Sequence, residues 1–253
     1  MALDFDLKGR TALVTGASQG IGRAICRMLA LEGVQVMGAA RRVEQVEALS
    51  REVAAAGGTR IVPVQADLLK PDAAARLAEQ ARGEFGRIDI LMNVAGVSQQ
   101  LPFDATIAQW DEGMQLNFFR LRELAHELIP AMRENRWGRV INFTGTSEPR
   151  IMNAAFTAKA AVHVWSKGLA REVAIDGVTV NCLQPGRIHS EQMTRRYPTL
   201  KDEQEFAKTE IPMGRFGEPE EIGAVALFIA SPLASYITGA VIPVDGGSKR
   251  YAF

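Results

Sequence analysis

The stretch Thr11–Gly22 reads Thr-Ala-Leu-Val-Thr-Gly-Ala-Ser-Gln-Gly-Ile-Gly, a short apolar run that ends directly in closely spaced glycines. The run is typical of a buried strand, and the residues after it have the apolar spacing of a helix. Gly16 allows a tight turn, Gly20 lets backbone N–H groups approach a phosphate, and Gly22 lets the helix pack on the sheet. The stretch therefore predicts a pyrophosphate-binding turn between a strand and a helix, which is the context that a dinucleotide site requires.

Apolar strand patterns alternate with helical patterns along almost the whole chain. Strands are predicted at Thr11–Thr15, Gln35–Ala39, Arg60–Gln65, Ile88–Asn93, Arg139–Thr144, Val178–Leu183 and Ala240–Val244. Helices are predicted at Gly20–Leu31, Val43–Ala56, Ala73–Phe85, Phe118–Asn135, Asn153–Ile175 and Pro219–Ala230. Because the strands are almost continuously apolar, both faces of the sheet should be covered by helices. We predict one α/β domain over residues 1–253, with a doubly wound, seven-stranded parallel sheet.

One polar segment interrupts this alternation. It runs over His189–Pro212, after the sixth predicted strand, and contains Tyr197-Pro198. Insertions of this kind often cover a binding site. We therefore predict that residues 189–212 form a loop insertion that acts as a lid.

The composition excludes several classes of protein. The 253 residues include 29 basic and 29 acidic side chains, so the chain offers no basic surface for nucleic acid or anionic lipid. Cys26 and Cys182 cannot form a disulfide framework, and the three histidines have no metal-ligand spacing. Ile222–Val244 lacks charged residues, but its prolines and glycine predict a helix, a turn and a strand rather than a membrane span. With no secretory signal pattern at the start of the sequence, we expect a cytoplasmic protein that binds a small molecule.

Further motifs follow the later strands. They are Asp67-Leu68, Asn93-Val94-Ala95-Gly96, Leu116-Asn117, Pro185-Gly186-Arg187-Ile188-His189-Ser190, Gly214–Glu221 and Val244-Asp245-Gly246-Gly247. Together with the glycine turn, they resemble the motifs of the short-chain dehydrogenase/reductase family over almost the whole chain. The resemblance implies a single-domain Rossmann fold. The cofactor-binding residues that it implies are Gly16, Ser18, Gln19, Gly20, Ile21, Arg41, Arg42, Asp67, Leu68, Asn93, Ala95, Gly96, Lys159, Pro185, Gly186 and Ile188.

The end of the second predicted strand indicates which dinucleotide binds. A site selective for NAD normally has an acidic side chain here that accepts hydrogen bonds from the ribose hydroxyls. That position is Ala40, and Arg41 and Arg42 follow it. Because guanidinium groups pair with a 2′-phosphate, we predict NADPH over NADH. The alternative is that the two arginines are simply the solvated start of a helix.

The catalytic positions depart from the family pattern. The resemblance identifies Lys159 as the catalytic lysine, and the family's tyrosine stands four residues earlier, on the same face of the helix. In this chain that position is Ala155, and the neighbouring Phe156 has no hydroxyl. The three tyrosines of the chain lie outside this helix. The sequence therefore predicts an active site without its usual proton donor.

The serine of the family pattern is also displaced. Its position at the end of the fifth strand corresponds to Gly145, and the neighbouring hydroxyl groups belong to Thr144, Thr146 and Ser147. We take Ser147 as the candidate hydroxyl, with Thr144 and Thr146 as alternatives. Each of these hydroxyls could instead cap its own backbone.

Reduction of a carbonyl needs a general acid, so another group must deliver the proton. The resemblance implies that Asn117 and Lys159 support a water chain, and a water in the space of the missing ring could relay a proton from Lys159. His189 is a second candidate because imidazole titrates near neutral pH, and Glu148 is a third. The candidate catalytic residues are thus Lys159, Asn117 and Ser147.

Two functions remain open at this point. The first is an NADPH-dependent oxidoreductase for a small carbonyl, an alcohol or a 3-oxoacyl substrate, similar to a divergent 3-oxoacyl-ACP-reductase-like subgroup that lacks the catalytic tyrosine. The alternative is a dinucleotide-binding protein without reductase activity, such as a sensor, a partner subunit or a non-redox enzyme. The family commonly assembles through the helices corresponding to Phe118–Asn135 and Asn153–Ile175 and through the last strand. We therefore expect a homotetramer, with a dimer as the alternative.

Overall fold

Short apolar segments form a single parallel sheet in the computed structural model, which describes residues 4–98, 100–145 and 148–251. The strands of the sheet are β1 (Thr11–Thr15), β2 (Gln35–Ala40), β3 (Ile61–Gln65), β4 (Ile90–Asn93), β5 (Gly138–Phe143), β6 (Val178–Pro185) and β7 (Val241–Val244). Their spatial order is β3-β2-β1-β4-β5-β6-β7, and every pairing is parallel. The predicted seven-stranded doubly wound sheet is confirmed.

The chain order reverses direction between β1 and β4. It runs outward from β1 through β2 to β3, and then returns to place β4 on the other side of β1, with Thr15 opposite Asn93. Because all strands are parallel, their carboxyl ends lie along one edge of the sheet. In sheets of this kind, ligands bind in the crevice at the reversal. The fold therefore places a crevice above the ends of β1 and β4.

Helices cover both faces of the sheet, as predicted. They are α1 (Gly20–Leu31), α2 (Val43–Ala55), α3 (Ala73–Phe85), α4 (Ile107–Met114), α5 (Arg120–Glu134), α6 (Ala154–Val173), α7 (Glu191–Arg196), α8 (Leu200–Glu210) and α9 (Pro219–Ala230). One core contains side chains of α1, α2 and α9, and the other contains side chains of α3, α5 and α6. The neighbours Leu13 and Val14 of β1 belong to opposite cores, because successive strand residues point to opposite faces.

The region predicted as one helix over Phe118–Asn135 has a different structure. Helix α4 starts earlier, and a π-helical turn over Gln115–Phe119 connects it to α5. The start of α4 has a capping box, in which Thr106 and Gln109 satisfy each other's backbone N–H groups. This Thr-x-x-Gln pattern is the signal that sequence reasoning missed.

The segment 189–212 is more ordered than the predicted loop. It contains α7 and α8, and Thr199 with Asp202 forms a capping box at the start of α8. The uncharged segment Ile222–Val244 divides into α9, a 3₁₀ turn and β7, as expected. Among the residues described, no helix combines the length and the apolar character that crossing a membrane requires.

The glycines of two helices provide a test of how tightly α1 packs. A Cβ atom at Gly22 would lie 2.2 Å from the Gly16 carbonyl oxygen, whereas a Cβ at Gly168 of α6 would have no neighbour within 4 Å. We expect Gly22→Ala to lower the free energy of unfolding by about 1–3 kcal/mol, because the clash is with backbone. The matched change Gly168→Ala should raise it by about 0.5–1 kcal/mol. Urea unfolding measures both, and equal stabilities of the two variants would contradict this packing.

Candidate active site

The turn after β1 packs directly against the turn after β4. Gly16 has φ = 72°, in the left-handed region that favours glycine, and a Cβ there would lie 3.1 Å from Ala95 Cα. The Thr15 hydroxyl accepts hydrogen bonds from the backbone N–H groups of Val94 and Ala95, each at 3.1 Å. Sequence reasoning missed Thr15, because a threonine at a strand end gives no local signal of a partner 79 residues away. These contacts form the floor of the crevice.

A cavity of about 1540 Å³ extends above the carboxyl ends of the strands. The predicted cofactor-binding residues on its wall are Gly16, Ser18, Gln19, Gly20, Ile21, Arg41, Arg42, Asp67, Leu68, Ala95, Gly96, Lys159, Pro185, Gly186 and Ile188. They come from five strand ends and from α6, so their common location depends on the sheet order. The structure brings these residues together around one crevice.

Asn93 is the predicted cofactor-binding residue whose side chain is directed elsewhere. It is buried, and its amide donates to Asn142 Oδ1 at 2.9 Å and to the Leu121 carbonyl at 3.4 Å. Asn142 in turn donates to Ser166 Oγ of α6 at 3.0 Å. The side chain is thus directed toward β5 and α5 rather than into the cavity, and a contact between Asn93 and the cofactor stays a prediction. Asn93 instead helps to position the helix that carries Lys159.

The two arginines after β2 differ in their partners. Arg42 donates to both carboxylate oxygens of Glu191 in α7, at 3.1 and 3.2 Å, and also to the Gln19 side chain. The exposed Arg41 side chain makes no hydrogen bond or ion pair with any residue that the structure describes, and it lines the cavity. Arg41 is thus the more accessible of the two for an anion.

Lys159 lies one helical turn after Ala155, and both residues line the cavity. Its Nζ donates to the Thr144 carbonyl at 3.3 Å, and burial lowers its pKa to about 8. Ala155 is buried, and its N–H donates to the Asn153 side chain that caps α6. At this position α6 offers a methyl group and no proton donor, so the amine is the titratable group of α6 that faces the cavity.

Asn117 lies beside this site without facing the cavity. The π-helical turn holds its amide against Val97 and Gly113, where it donates to both carbonyls at 3.1 and 2.8 Å and accepts from Val97 N–H at 3.2 Å. A Cβ at Gly96 would lie 2.7 Å from Asn117 Oδ1 and 3.5 Å from Lys159 Nζ. The structure thus gives the Asn117 side chain a positioning contact with the Gly96 turn. Single-turn π-helices of this kind are frequent at functional sites.

Among the three candidate hydroxyls, that of Thr144 belongs to the described residues. Its hydroxyl donates to the Leu183 carbonyl at 3.2 Å and lies 2.8 Å from His163 Nε2, so it is used by its local structure. Thr146 and Ser147 lie outside the described residues. Glu148 lines the cavity, but its carboxylate accepts hydrogen bonds from the backbone N–H groups of Arg250 and Tyr251.

A family model described as enoyl-(acyl carrier protein) reductase matches residues 16–249. The rhamnolipids biosynthesis 3-oxoacyl-[acyl-carrier-protein] reductase of Pseudomonas aeruginosa is 38% identical over 253 residues, covering 96% of this chain and 97% of the relative. The chain belongs to the short-chain dehydrogenase/reductase family.

Solved structures agree with this family membership. L-sorbose reductase from Gluconobacter frateurii, solved with NADPH and L-sorbose, superposes with a TM-score of 0.93 and 30% identity over 98% of this chain and 100% of that chain. The RhlG/NADP complex from Pseudomonas aeruginosa superposes with a TM-score of 0.87 and 35% identity over 98% and 99% of the two chains. The single-domain fold implied by the motifs is therefore confirmed.

In this short-chain dehydrogenase/reductase, α7 and α8 lie over the crevice. Tyr197 and Phe206 pack their rings against the buried Phe216, with centroids 5.4 and 6.0 Å away. A Cβ at Gly20 would lie 3.6 Å from Ser190 Cβ, so the start of α7 approaches the phosphate-binding turn. The segment is attached to the crevice by an aromatic cluster and by the Arg42–Glu191 ion pair.

His189 holds this segment in place through both of its ring nitrogens. Its Nδ1 lies 2.8 Å from Glu218 Oε1, and its Nε2 lies 2.8 Å from Glu203 Oε1 of α8. In this arrangement both ring nitrogens of His189 are engaged by carboxylates, which disfavours the hypothesis that His189 donates a proton to a substrate. Hydrogen bonds to Glu203, and then to Glu218, raise the pKa of His189, since only the protonated ring donates to both.

The attachment of α8 should therefore depend on pH. A histidine whose pKa is raised in the folded state stabilises the fold at low pH, and this stabilisation is lost as the pH rises through the folded pKa, above 6.5. We expect hydrogen exchange in Leu200–Glu210 to become less protected across that range, after correction for intrinsic rates, while Ala73–Phe85 serves as the internal reference. In His189→Gln the pH dependence should disappear. Parallel losses of protection in the variant and the parent would show that another group controls α8.

Proposed function

We propose that the chain is an NADPH-dependent oxidoreductase that acts on a small carbonyl, alcohol or 3-oxoacyl substrate through an atypical active site. The observation that carries the proposal is a complete crevice in which Lys159 faces the cavity beside Ala155, where the family resemblance places tyrosine. The rhamnolipids biosynthesis relative and L-sorbose reductase are reductases by name. The two solved structures named above contain NADPH and NADP.

The crevice residues fit NADPH. Gly16 and Gly20 have φ values of 72° and 50°, which allow backbone N–H groups to line a pyrophosphate at the start of α1. Position 40 has no carboxylate to repel a 2′-phosphate, and the Arg41 guanidinium is available to pair with one. Asp67 and Leu68 would contact the adenine, and Lys159 with Pro185, Gly186 and Ile188 would lie beside the nicotinamide. When bound, NADPH supplies the hydride.

The protein must supply the proton that follows hydride transfer. An ammonium group whose pKa is about 8 can donate near neutral pH, and Lys159 Nζ is held toward the cavity by the Thr144 carbonyl. The small Ala155 side chain leaves room for a water molecule between Nζ and a substrate oxygen. In this proposal Lys159 is the proton source through such a relay, Asn117 positions the Gly96 turn beside it, and Ser147 remains a candidate for orienting the substrate.

A second function is favoured by the same alanine. Ala155 has no hydroxyl, and the Thr144 hydroxyl is bonded to its surroundings. A chain with this site could bind the dinucleotide without reducing a substrate, as a sensor, a partner subunit or a non-redox enzyme. Measurements of turnover separate this function from the first.

We also propose that the chain forms a homotetramer, with a dimer as the alternative. Val164 of α6 is 77% exposed in the isolated chain. Val241 of the edge strand β7 is also exposed, as are Leu233 and Tyr236 in the segment that precedes this strand. Apolar side chains at an open sheet edge and on a helix are typical of surfaces covered by association.

The first experiment measures NADPH consumption against a panel of ketones, with Lys159→Ala as the variant. We expect kcat/KM of the parent to decrease as the pH rises through about 8, because the ammonium is the form that donates. Loss of the general acid should lower kcat by about 10²–10⁴-fold. Binding titrations with NADPH and NADH accompany the assay, and tighter NADH binding would contradict the cofactor assignment. Tight NADPH binding without turnover in either protein would favour the non-reductase function.

The second experiment restores a phenol at the alanine. Ala155→Tyr should raise kcat for ketone reduction by about 10²-fold or more, because the hydroxyl would stand one helical turn from Lys159. Ala155→Phe is the matched control, since it adds the ring without the hydroxyl. If both variants gain or lose activity equally, the residue at this position acts through its volume, and the missing-acid interpretation is wrong.

A further inference from the structure

Among the residues that the structure describes, Arg187 is unpaired like Arg41, but unlike the exposed Arg41 it is partly removed from water. It stands between Gly186 and Ile188 at the end of β6, is half-buried and lines the cavity. Arg42 and Arg150 are paired with Glu191 and Glu210, whereas the Arg187 guanidinium has no hydrogen bond or ion pair with any described residue. Charged groups that are partly removed from water are normally paired, so this one is placed at a cost in stability.

The surroundings of Arg187 are cationic. Its guanidinium carbon lies 5.3 Å from the centre of the Phe206 ring, and Arg150 and Arg196 are the nearby cations. Glu210 is the carboxylate that faces this group, but both its oxygens accept from Arg150, at 2.8 and 2.6 Å, and Arg250 lies 3.5 Å away. The carboxylate is therefore already shared between two arginines. Burial, followed by the neighbouring arginines, lowers the pKa of Arg187 from its ordinary value, so an added anion would be favoured here.

The backbone holds Arg187 in a fixed position. The N–H of Gly186 donates to the Val244 carbonyl at 3.0 Å, and the Arg187 carbonyl accepts from Gly217 N–H at 2.9 Å. A Cβ at Gly186 would lie 2.6 Å from Asp245 Cα, so this segment packs closely against the residues after β7. A charged group on a rigid strand end is preorganised to bind a ligand.

The sheet order separates this group from the cofactor phosphates. Arg41 follows β2 and Arg187 follows β6, and β1, β4 and β5 lie between these strands. At about 4.8 Å per strand the two sites are about 19 Å apart. Thr144, which holds Lys159 Nζ, follows β5, the neighbour of β6. A substrate whose carbonyl lies near Lys159 would therefore place a nearby group against Arg187.

We propose that Arg187 forms an anion subsite of the crevice that selects substrates carrying a carboxylate a few bonds from the reacting carbonyl, namely short-chain oxo acids. The planar guanidinium can donate two parallel hydrogen bonds to the oxygens of one carboxylate, and the Phe206 ring packs near its face. This inference rests on the proposed reductase function, since it names the substrate class of that crevice.

The test compares oxo acids with their ethyl esters, which keep the carbonyl but lack the charge. Acetoacetate, levulinate and 5-oxohexanoate place the carboxylate at increasing distances, and kcat/KM for NADPH oxidation is measured for each acid and ester. We expect the parent to prefer the acids. Arg187→Met should lower kcat/KM for the preferred acid by about 10–100-fold and change the ester by less than about threefold, because only the acid loses a charge-assisted hydrogen bond. For Arg187→Lys, kcat/KM for the acid should lie between the values of the parent and of Arg187→Met, since lysine keeps the charge without the planar guanidinium group.

The controls separate this subsite from the reductase function. Arg171→Met removes an exposed arginine of α6 outside the cavity and should leave the acid-to-ester ratio unchanged. NADPH affinity of each variant verifies folding. Calorimetric titration of 3-hydroxybutyrate into the NADPH-saturated protein measures the subsite without turnover, because the hydroxy acid and NADPH are both reduced and neither can accept a hydride. Equal use of acids and esters, or equal losses of both in Arg187→Met, would overturn the subsite and leave the reductase intact. Arg187-dependent binding of the hydroxy acid with no reduction of any ketone would support the subsite and overturn the reductase.

Discussion

Backbone contact between two turns determines the geometry of this crevice. The turn that follows β1 packs against the turn that follows β4, so that a Cβ at Gly16 would contact Ala95 at 3.1 Å. The Thr15 hydroxyl accepts hydrogen bonds from two N–H groups of the second turn. A side chain at Gly16 would separate the turns, and loss of the hydroxyl would leave two N–H groups without this acceptor. The next residue, Gly96, then lies against Asn117 and close to Lys159. The phosphate-binding end and the catalytic end are therefore positioned by one contact.

The position of α6 depends on polar groups buried in the sheet. Asn93 donates to Asn142, Asn142 donates to Ser166, and the Cys182 thiol donates to Ser166 at 3.3 Å. Buried polar side chains of this kind need partners, and hydrogen bonds that connect β4, β5, β6 and α6 fix the relative placement of these four elements. Through Ser166 the row sets the position of the helix that carries both Ala155 and Lys159. Apolar packing alone would hold α6 on the sheet but would not specify this alignment so directly.

Local patterns in the sequence predicted much of the fold. The bounds of α1, α3, α9 and β1 agree with the predictions, because glycine, proline and apolar spacing mark those segments locally. The crevice-lining residues were likewise readable from the motifs after each strand. The side-chain partners were not, since Thr15, Asn93 and His189 each bond to residues far away in the chain. The π-helical turn was missed for a similar reason, because its spacing is absent from a search for helical periods of 3.6 residues.

The ion pair between Arg42 and Glu191 couples the binding of an anion at Arg42 to the attachment of α7. Nη1 of Arg42 donates to both carboxylate oxygens of Glu191, so its N–H groups cannot at the same time donate to another anion. An anion that binds these N–H groups must break the ion pair with α7. By thermodynamic reciprocity, the ion pair with α7 lowers the affinity of Arg42 for the anion by the same factor. Whether the Arg42 guanidinium binds Glu191 or an anion thus determines whether α7 is attached to the crevice at this point. The coupling free energy between anion binding and the attachment of α7 can therefore be changed by substitutions far from the reacting atoms.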